Sequence, residues 1–80
     1  MVTALVLIRT ERGKVFDVAR HLGDIEDVVE VHSVTGPYDL VAKVQVEEYE
    51  RMADVLTARI AAVEGITTTE TLMAFHTYKF

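Results

Sequence analysis

The sequence has 80 residues and a mass of 9.0 kDa, which is the size of one small domain, so residues 1–80 are predicted to fold as a single unit. Half of the residues are hydrophobic and 26% are charged, and this balance excludes a disordered chain. The formal charge of −5 argues against direct DNA binding, and the lack of cysteine excludes disulfides and thiolate metal sites.

The first half of the chain contains a strand and a helix. Residues 2–9 form a nearly continuous apolar run rich in β-branched side chains, which predicts a strand covered on both faces. This run is too short to cross a membrane and has no signal-peptide features, so we expect a cytoplasmic protein that binds no membrane. Apolar residues in 15–22 recur at helical spacing, and Gly23 is the predicted helix stop.

The rest of the chain contains three more predicted strands and a second predicted helix. Residues 28–34 alternate in polarity and predict a half-exposed edge strand, and the turn-rich stretch 35–39 leads into a strand over 40–46. Glu47 and Glu48 then precede a long predicted helix that ends at Gly65, and residues 66–75 form the last strand. The apolar stripe predicted for this helix consists of Tyr49, Met52, Ala53, Leu56, Ile60 and Val63.

This order of elements predicts an α+β, ferredoxin-like βαββαβ sandwich. It has a four-stranded antiparallel sheet with two helices on one face, and the first and third strands lie in the middle. The other face of the sheet then keeps a row of uncovered apolar side chains, which is typical of a subunit interface. The predicted dimer-interface residues are Leu5, Leu7, Val41, Met73 and Phe75.

The sequence has no pattern typical of an active site. It lacks a supported Ser-His-Asp arrangement, a glycine-rich phosphate loop and an HExxH motif. His21, His32 and His76 lie in three different predicted segments without the spacing of metal ligands. We therefore expect no enzymatic activity, no catalytic residue, no metal and no cofactor.

Two segments have the chemistry to hold a small ligand. In residues 34–40, Gly36 leaves backbone amides open to close approach, and Asp39 supplies a negative acceptor. Amide and hydroxyl donors suit the carboxylate of an amino acid, and an acidic acceptor suits its ammonium group. The hydroxyl row that alternation places on one face of the last strand is Thr67, Thr69 and Thr71. A plain hairpin connection, with threonines that merely favour a strand, is the alternative interpretation.

The same two segments resemble a known family. Val34-Thr35-Gly36-Pro37-Tyr38-Asp39-Leu40 is similar to the V-x-G-x-Y-D-hydrophobic loop of the Lrp/AsnC effector domain, called RAM for regulation of amino-acid metabolism. Gly65-Ile66-x-x-Thr69-x-Thr71 resembles the G-V-x-x-T-x-T strand of that domain. The resemblance covers essentially the whole chain. It implies a dimer formed through the sheets, assembly of dimers into a ring such as an octamer or decamer, and a small amino acid bound between dimers. The positions that match the family's ligand contacts are Gly36, Tyr38, Asp39, Thr69 and Thr71.

One departure from the family narrows the expected function. Regulators of this family carry an N-terminal helix-turn-helix, whereas residues 1–9 here already form the first strand, so we expect the effector domain alone and no direct DNA binding. The leading hypothesis is a non-enzymatic amino-acid-binding and oligomerisation module linked to transcriptional regulation of amino-acid metabolism. The alternatives are a small dimeric α+β barrel enzyme of the monooxygenase type, and a pure assembly partner of a full-length Lrp/AsnC regulator.

Overall fold

The computed structural model describes residues 1–80 and contains the predicted strands and helices in the predicted order. No helix has the length and apolarity that a membrane span requires. The bounds are β1 Val2–Thr10, α1 Val15–Gly23, β2 Val28–Ser33, β3 Leu40–Val46, α2 Tyr49–Asp54, a π-helix over Val55–Ile60 that continues α2, and β4 Ile66–Ala74. In α1, Asp17 lies in the first turn and Arg20 and His21 in the last, which is the charge order that the helix dipole favours.

The four strands form one antiparallel sheet in the order β2-β3-β1-β4. Both helices pack on one face of this sheet, so the predicted ferredoxin-like fold is confirmed, with β1 and β3 in the middle. The core between the sheet and the helices is entirely hydrophobic, and no polar side chain is buried. The most completely covered large side chains are Val6, Ile8, Val18, Leu22, Leu40, Val44, Met52, Val55 and Ile60.

The second helix departs from the predicted stripe within α2, and it also changes type after Asp54. In a π-helix each amide bonds to the carbonyl five residues earlier, so residues five apart share a face. Val55 and Ile60 have this spacing and both are buried. Tyr49, by contrast, is 68% exposed. Ala53 is also exposed, so the predicted stripe is wrong at these two positions.

The sheet face without helices, called the open face below, differs in part from the prediction. Leu5 and Leu7 lie on it as expected, and Val41 is the direct cross-strand partner of Leu7. Met73 is opposite the buried Ala4 and packs against the core, so its predicted place on the open face is wrong, and Leu72 holds that position opposite Leu5. Phe75 lies beyond the end of β4 and is 91% exposed, so it is not part of the sheet face. The apolar centre of the open face is Leu5, Leu7, Val41 and Leu72.

At position 65, immediately before β4, both the backbone conformation and the space available for a side chain require glycine. Its φ is +100°, and a Cβ there would lie 2.9 Å from Val18 Cγ2 and 3.3 Å from Lys14 Cβ. We expect Gly65→Ala to lower the free energy of unfolding by at least about 2 kcal/mol, since backbone strain and overpacking each cost about 1–3 kcal/mol. Urea denaturation monitored by circular dichroism measures this loss.

Gly23 provides the matched control for this substitution. It lies at the end of α1 without a positive φ, and a Cβ there would meet no atom within 4 Å. Gly23→Ala should therefore raise the free energy of unfolding by about 0.4–1 kcal/mol, because alanine restricts the unfolded chain. Equal stabilities of the two variants would show that Gly65 is not under strain.

Candidate functional site

The loop between β2 and β3 is attached to the end of β1 by Asp39. The Val34 amide donates to the Asp39 carbonyl at 3.0 Å, and the Asp39 amide donates to the Ile8 carbonyl at 2.8 Å. The Asp39 carboxylate accepts a hydrogen bond from the Thr10 amide at 2.9 Å, and Oδ2 also lies 3.4 Å from the Thr10 hydroxyl. Asp39 therefore fixes the loop with its backbone and with one carboxylate oxygen.

The tip of this loop presents unpaired donors. Gly36 has a φ of +122°, and no atom lies within 4 Å of the place where a Cβ would be. The amides of Thr35, Gly36 and Tyr38 donate no hydrogen bond within the chain. Exposed backbone amides next to a residue with a positive φ are suited to bind an anionic group such as a carboxylate.

Tyr38 is held by two side chains from other strands. Its hydroxyl donates to a Glu70 carboxylate oxygen, and this negative partner raises the pKa of Tyr38. The Arg9 guanidinium lies 5.5 Å from the centroid of the Tyr38 ring, and Arg9 Nε donates to the Pro37 carbonyl at 2.8 Å. The group Arg9, Tyr38 and Glu70 is called the loop clamp below.

The structure brings together only part of the predicted site. Tyr38 contacts Glu70, which lies opposite Leu7 and therefore belongs to the open face. Thr69 and Thr71 lie opposite the buried residues Ile8 and Val6, so they project from the other side of β4, where this edge strand leaves them exposed. Within one chain the two hydroxyls therefore do not share a side with Tyr38.

The third threonine of the predicted hydroxyl row also has a structural contact. Thr67 lies at the register shift between β1 and β4, and its hydroxyl donates to the Arg9 carbonyl at 3.3 Å. This bond turns Thr67 towards the backbone of its neighbour strand. The row of three hydroxyls is therefore reduced to Thr69 and Thr71.

Sequence reasoning did not find Arg9 and Glu70. Each is the only charged residue of its strand, β1 and β4 respectively. A single charge in an otherwise uncharged strand was the available signal, but it does not show that the two strands are neighbours.

The remaining ion pairs lie away from the loop tip. Glu30 is hydrogen-bonded to His32 at 2.9 Å and lies 3.7 Å from Lys43, and the His32 hydrogen bond, then the positive charge of Lys43, lower the pKa of Glu30. Arg51 binds Asp27 at 2.7 Å and so connects α2 to the segment before β2. No group of three or more His, Asp or Glu side chains is arranged to hold a metal ion.

Comparison with known proteins identifies the family of this chain. The Lrp/AsnC ligand binding domain model matches residues 3–80. The HTH-type transcriptional regulator FL11 of Pyrococcus abyssi is 33% identical over 76 residues, which are 95% of this chain and 50% of the relative. The chain thus spans about half the length of the curated relatives that it matches.

Solved structures give the same result. TTHA0845 from Thermus thermophilus has 45% identity and a TM-score of 0.92, with 100% of both chains covered. The feast or famine regulatory protein from M. tuberculosis, complexed with L-methionine, has 26% identity and a TM-score of 0.82 over 100% of this chain and 54% of that chain. The family match, the loop and strand motifs and the fold agree, and the chain belongs to the Lrp/AsnC family as a ligand binding domain.

Proposed function

We propose that this chain is a non-enzymatic module that binds a small amino acid, forms oligomers and serves the transcriptional regulation of amino-acid metabolism. The observation that carries the ligand part is the loop tip, where three amides without a partner in the chain lie within four residues of Asp39 in the sequence. The relative from M. tuberculosis in complex with L-methionine supports an amino acid as the ligand class. Relatives that are transcriptional regulators support the regulatory role and argue against an enzyme.

The loop can complement both charges of an amino acid. The ligand carboxylate accepts hydrogen bonds from the amides of Thr35, Gly36 and Tyr38, which have no partner in the chain. The ammonium group is assigned to Asp39, whose second oxygen, Oδ1, accepts no hydrogen bond within the chain. Since Thr69 and Thr71 lie on the other side of β4, we assign their hydroxyls to ligand held by a neighbouring subunit.

The open face is proposed as the interface with a second copy of the chain. The accessible surface is 5606 Å², whereas a compact monomer of this mass exposes about 4,900 Å². This excess includes the residues after β4, such as Phe75, Tyr78 and Phe80, as well as Leu5 and Leu72 of the open face. Charges of both signs surround the apolar centre, so a two-fold dimer can pair them. The partners proposed for this dimer are further dimers in a cytoplasmic ring, or a full-length regulator of the family.

Isothermal titration calorimetry against the twenty amino acids, beginning with L-methionine, tests whether the chain binds an amino acid. Two variants of Asp39 then separate its structural role in the loop from its proposed role in binding the ammonium group. Asp39→Asn keeps an acceptor for the Thr10 amide but removes the charge offered to the ammonium group. Charged hydrogen bonds contribute about 1.5–3 kcal/mol and neutral ones about 0.5–1.5 kcal/mol, so binding should weaken about tenfold while the unliganded Tm is retained. Asp39→Ala should lose both the binding and part of the Tm.

Thr69→Val is the milder comparison, because it removes only a neutral hydroxyl of similar shape and should weaken binding less than Asp39→Asn. Wild-type affinity in Asp39→Asn would mean that Asp39 has only a structural role. If no amino acid produces heat, the ligand assignment is wrong and the pure assembly partner becomes the better hypothesis.

A further inference from the structure

Each strand of the sheet contains a single acidic or basic side chain, histidine aside, and all four lie on the open face. They are Glu30 in β2, Lys43 in β3, Arg9 in β1 and Glu70 in β4. Lys43 lies opposite Leu5, and Glu70 lies opposite Leu7. Glu30 is the cross-strand partner of Lys43, and Arg9 follows Leu7 by two positions. The two positive and two negative charges balance, so the strands give the open face no net charge while its histidine is neutral.

His32 is the only histidine in the strands, and it also lies on the open face. It is opposite Val41 of the apolar centre, and its Nε2 lies 2.9 Å from Glu30 Oε1. The other oxygen of this carboxylate is 3.7 Å from Lys43 Nζ. Glu30 is therefore shared between a cation and a ring that becomes a cation in mild acid. The group Glu30, His32 and Lys43 is called the edge triad below.

The surroundings of His32 leave Glu30 and Lys43 as the charged groups that face it. β2 is an edge strand, so β3 is its only neighbour in the sheet, and the charges of the loop clamp lie beyond it in β1 and β4. The Asp39 carboxylate of the adjoining loop is bonded to the Thr10 amide. The ionisable residues of α1, which packs on β2 from the other side of the sheet, are Asp17, Arg20 and His21.

Glu30 stays ionised when His32 gains a proton. The hydrogen bond from His32, then the positive charge of Lys43, lower the pKa of Glu30. Lysine is also fully charged in this range, so the charge of the edge triad between about pH 7.5 and pH 5.5 is set by His32. One carboxylate neutralises only one of two cations, and protonation therefore changes the net charge of the triad from zero to one positive charge.

We propose that protonation of His32 controls association through the open face: the neutral ring permits a second copy, and the imidazolium disfavours it. This rests on the dimer proposed above. Each carboxylate of the four strands is already matched by a cation, so the face has no spare negative charge for the imidazolium. Burial of such an uncompensated charge against a partner is costly. A two-fold interface contains the edge triad twice, so dissociation takes up as many as two protons and is favoured as the pH falls.

Sedimentation equilibrium of the chain at a series of pH values tests this switch. The dimer dissociation constant should rise at least about tenfold between about pH 7.5 and pH 5.5, because protons are taken up on dissociation. Far-UV circular dichroism at each pH should show an unchanged fold, since carboxylates with ordinary pKa values stay ionised in this range.

Variants of the three histidines identify the group responsible. His32→Gln keeps a neutral donor for Glu30 but cannot take up a proton, so its dissociation constant should be the same at both pH values. His32→Lys carries a permanent positive charge and should associate weakly at both. The double variant His21→Gln with His76→Gln leaves His32 as the only histidine of the chain and should retain the full pH response.

The outcomes separate this inference from the proposed function. A dissociation constant that is equal at the two pH values, or a pH response that persists in His32→Gln, would overturn the switch while the dimer itself stands. A wild-type chain that is monomeric at every pH would refute the dimer and the switch together. A response that is lost in His32→Gln and kept in the double variant supports the switch, whether or not calorimetry detects an amino acid.

Discussion

Leu5→Lys is expected to convert an associated protein into a folded monomer of 9.0 kDa. Leu5 lies in the apolar centre of the open face, 37% exposed, between Lys43 on one neighbour strand and Leu72 on the other. The new ammonium group would face a like charge and would lose water in the interface. Burial of an unpaired charge costs several kcal/mol, and a two-fold interface contains the substitution twice, so the dimer dissociation constant should rise at least about a hundredfold.

Light scattering and sedimentation at matched concentrations measure this change. Ala53→Lys, at an exposed position of α2 three residues after Glu50, is the control and should keep the wild-type mass. Far-UV circular dichroism establishes that both variants are folded. A wild-type protein that is monomeric, or a Leu5→Lys variant with the wild-type mass, would exclude the open face as the interface.

Leu22→Ala is expected to produce a large loss of stability. Leu22 is completely buried in α1 among hydrophobic side chains only. Replacement of such a leucine by alanine costs about 2–5 kcal/mol, whereas a domain of this length has a total stability of about 4–12 kcal/mol. Since each kcal/mol shifts the Tm of a small domain by about 4–8 °C, Tm should fall by at least about 8 °C.

Leu22→Met keeps most of the side-chain volume and provides the comparison. It should cost less than about 1.5 kcal/mol, because methionine fills irregular space in a core. Differential scanning calorimetry at a fixed protein concentration gives both values. If both variants lose the same free energy of unfolding, the loss does not come from a cavity, contrary to this prediction.

Most elements of the fold could be predicted because the apolar residues of each element recur with a regular spacing. The predicted strand over 40–46 coincides with β3, in which every second residue is buried. Three features that were not predicted insert a residue into a regular element: the π-helix of Val55–Ile60, the register shift between Val28 and Glu30, and the register shift after Arg9. A fixed period cannot detect an insertion, since the residues after it follow a displaced pattern.

The face of the sheet on which Met73 lies could not be predicted from the sequence of β4 alone. Its face is set by the pairing of β4 with β1, which places it opposite Ala4, and this register shifts after Arg9. The turn chemistry of Gly36, Pro37 and Asp39 is local, and the loop was therefore predicted. The role of Glu70 depends on a tyrosine 32 residues away and could be found only from the assembled sheet.

The central position of β1 affects how the nascent chain acquires its structure. On the ribosome β1 is made before both of its neighbours, and its pairing joins Thr3 to Gln45 and later to Ala74. Until β4 emerges, one side of this apolar strand has no backbone partner and is open to aggregation or chaperone binding. Pairs so distant along the chain also require large loops to close first, so folding is slower than in a helical protein of equal length. The last strand to be synthesised completes both the sheet and the protection of the first.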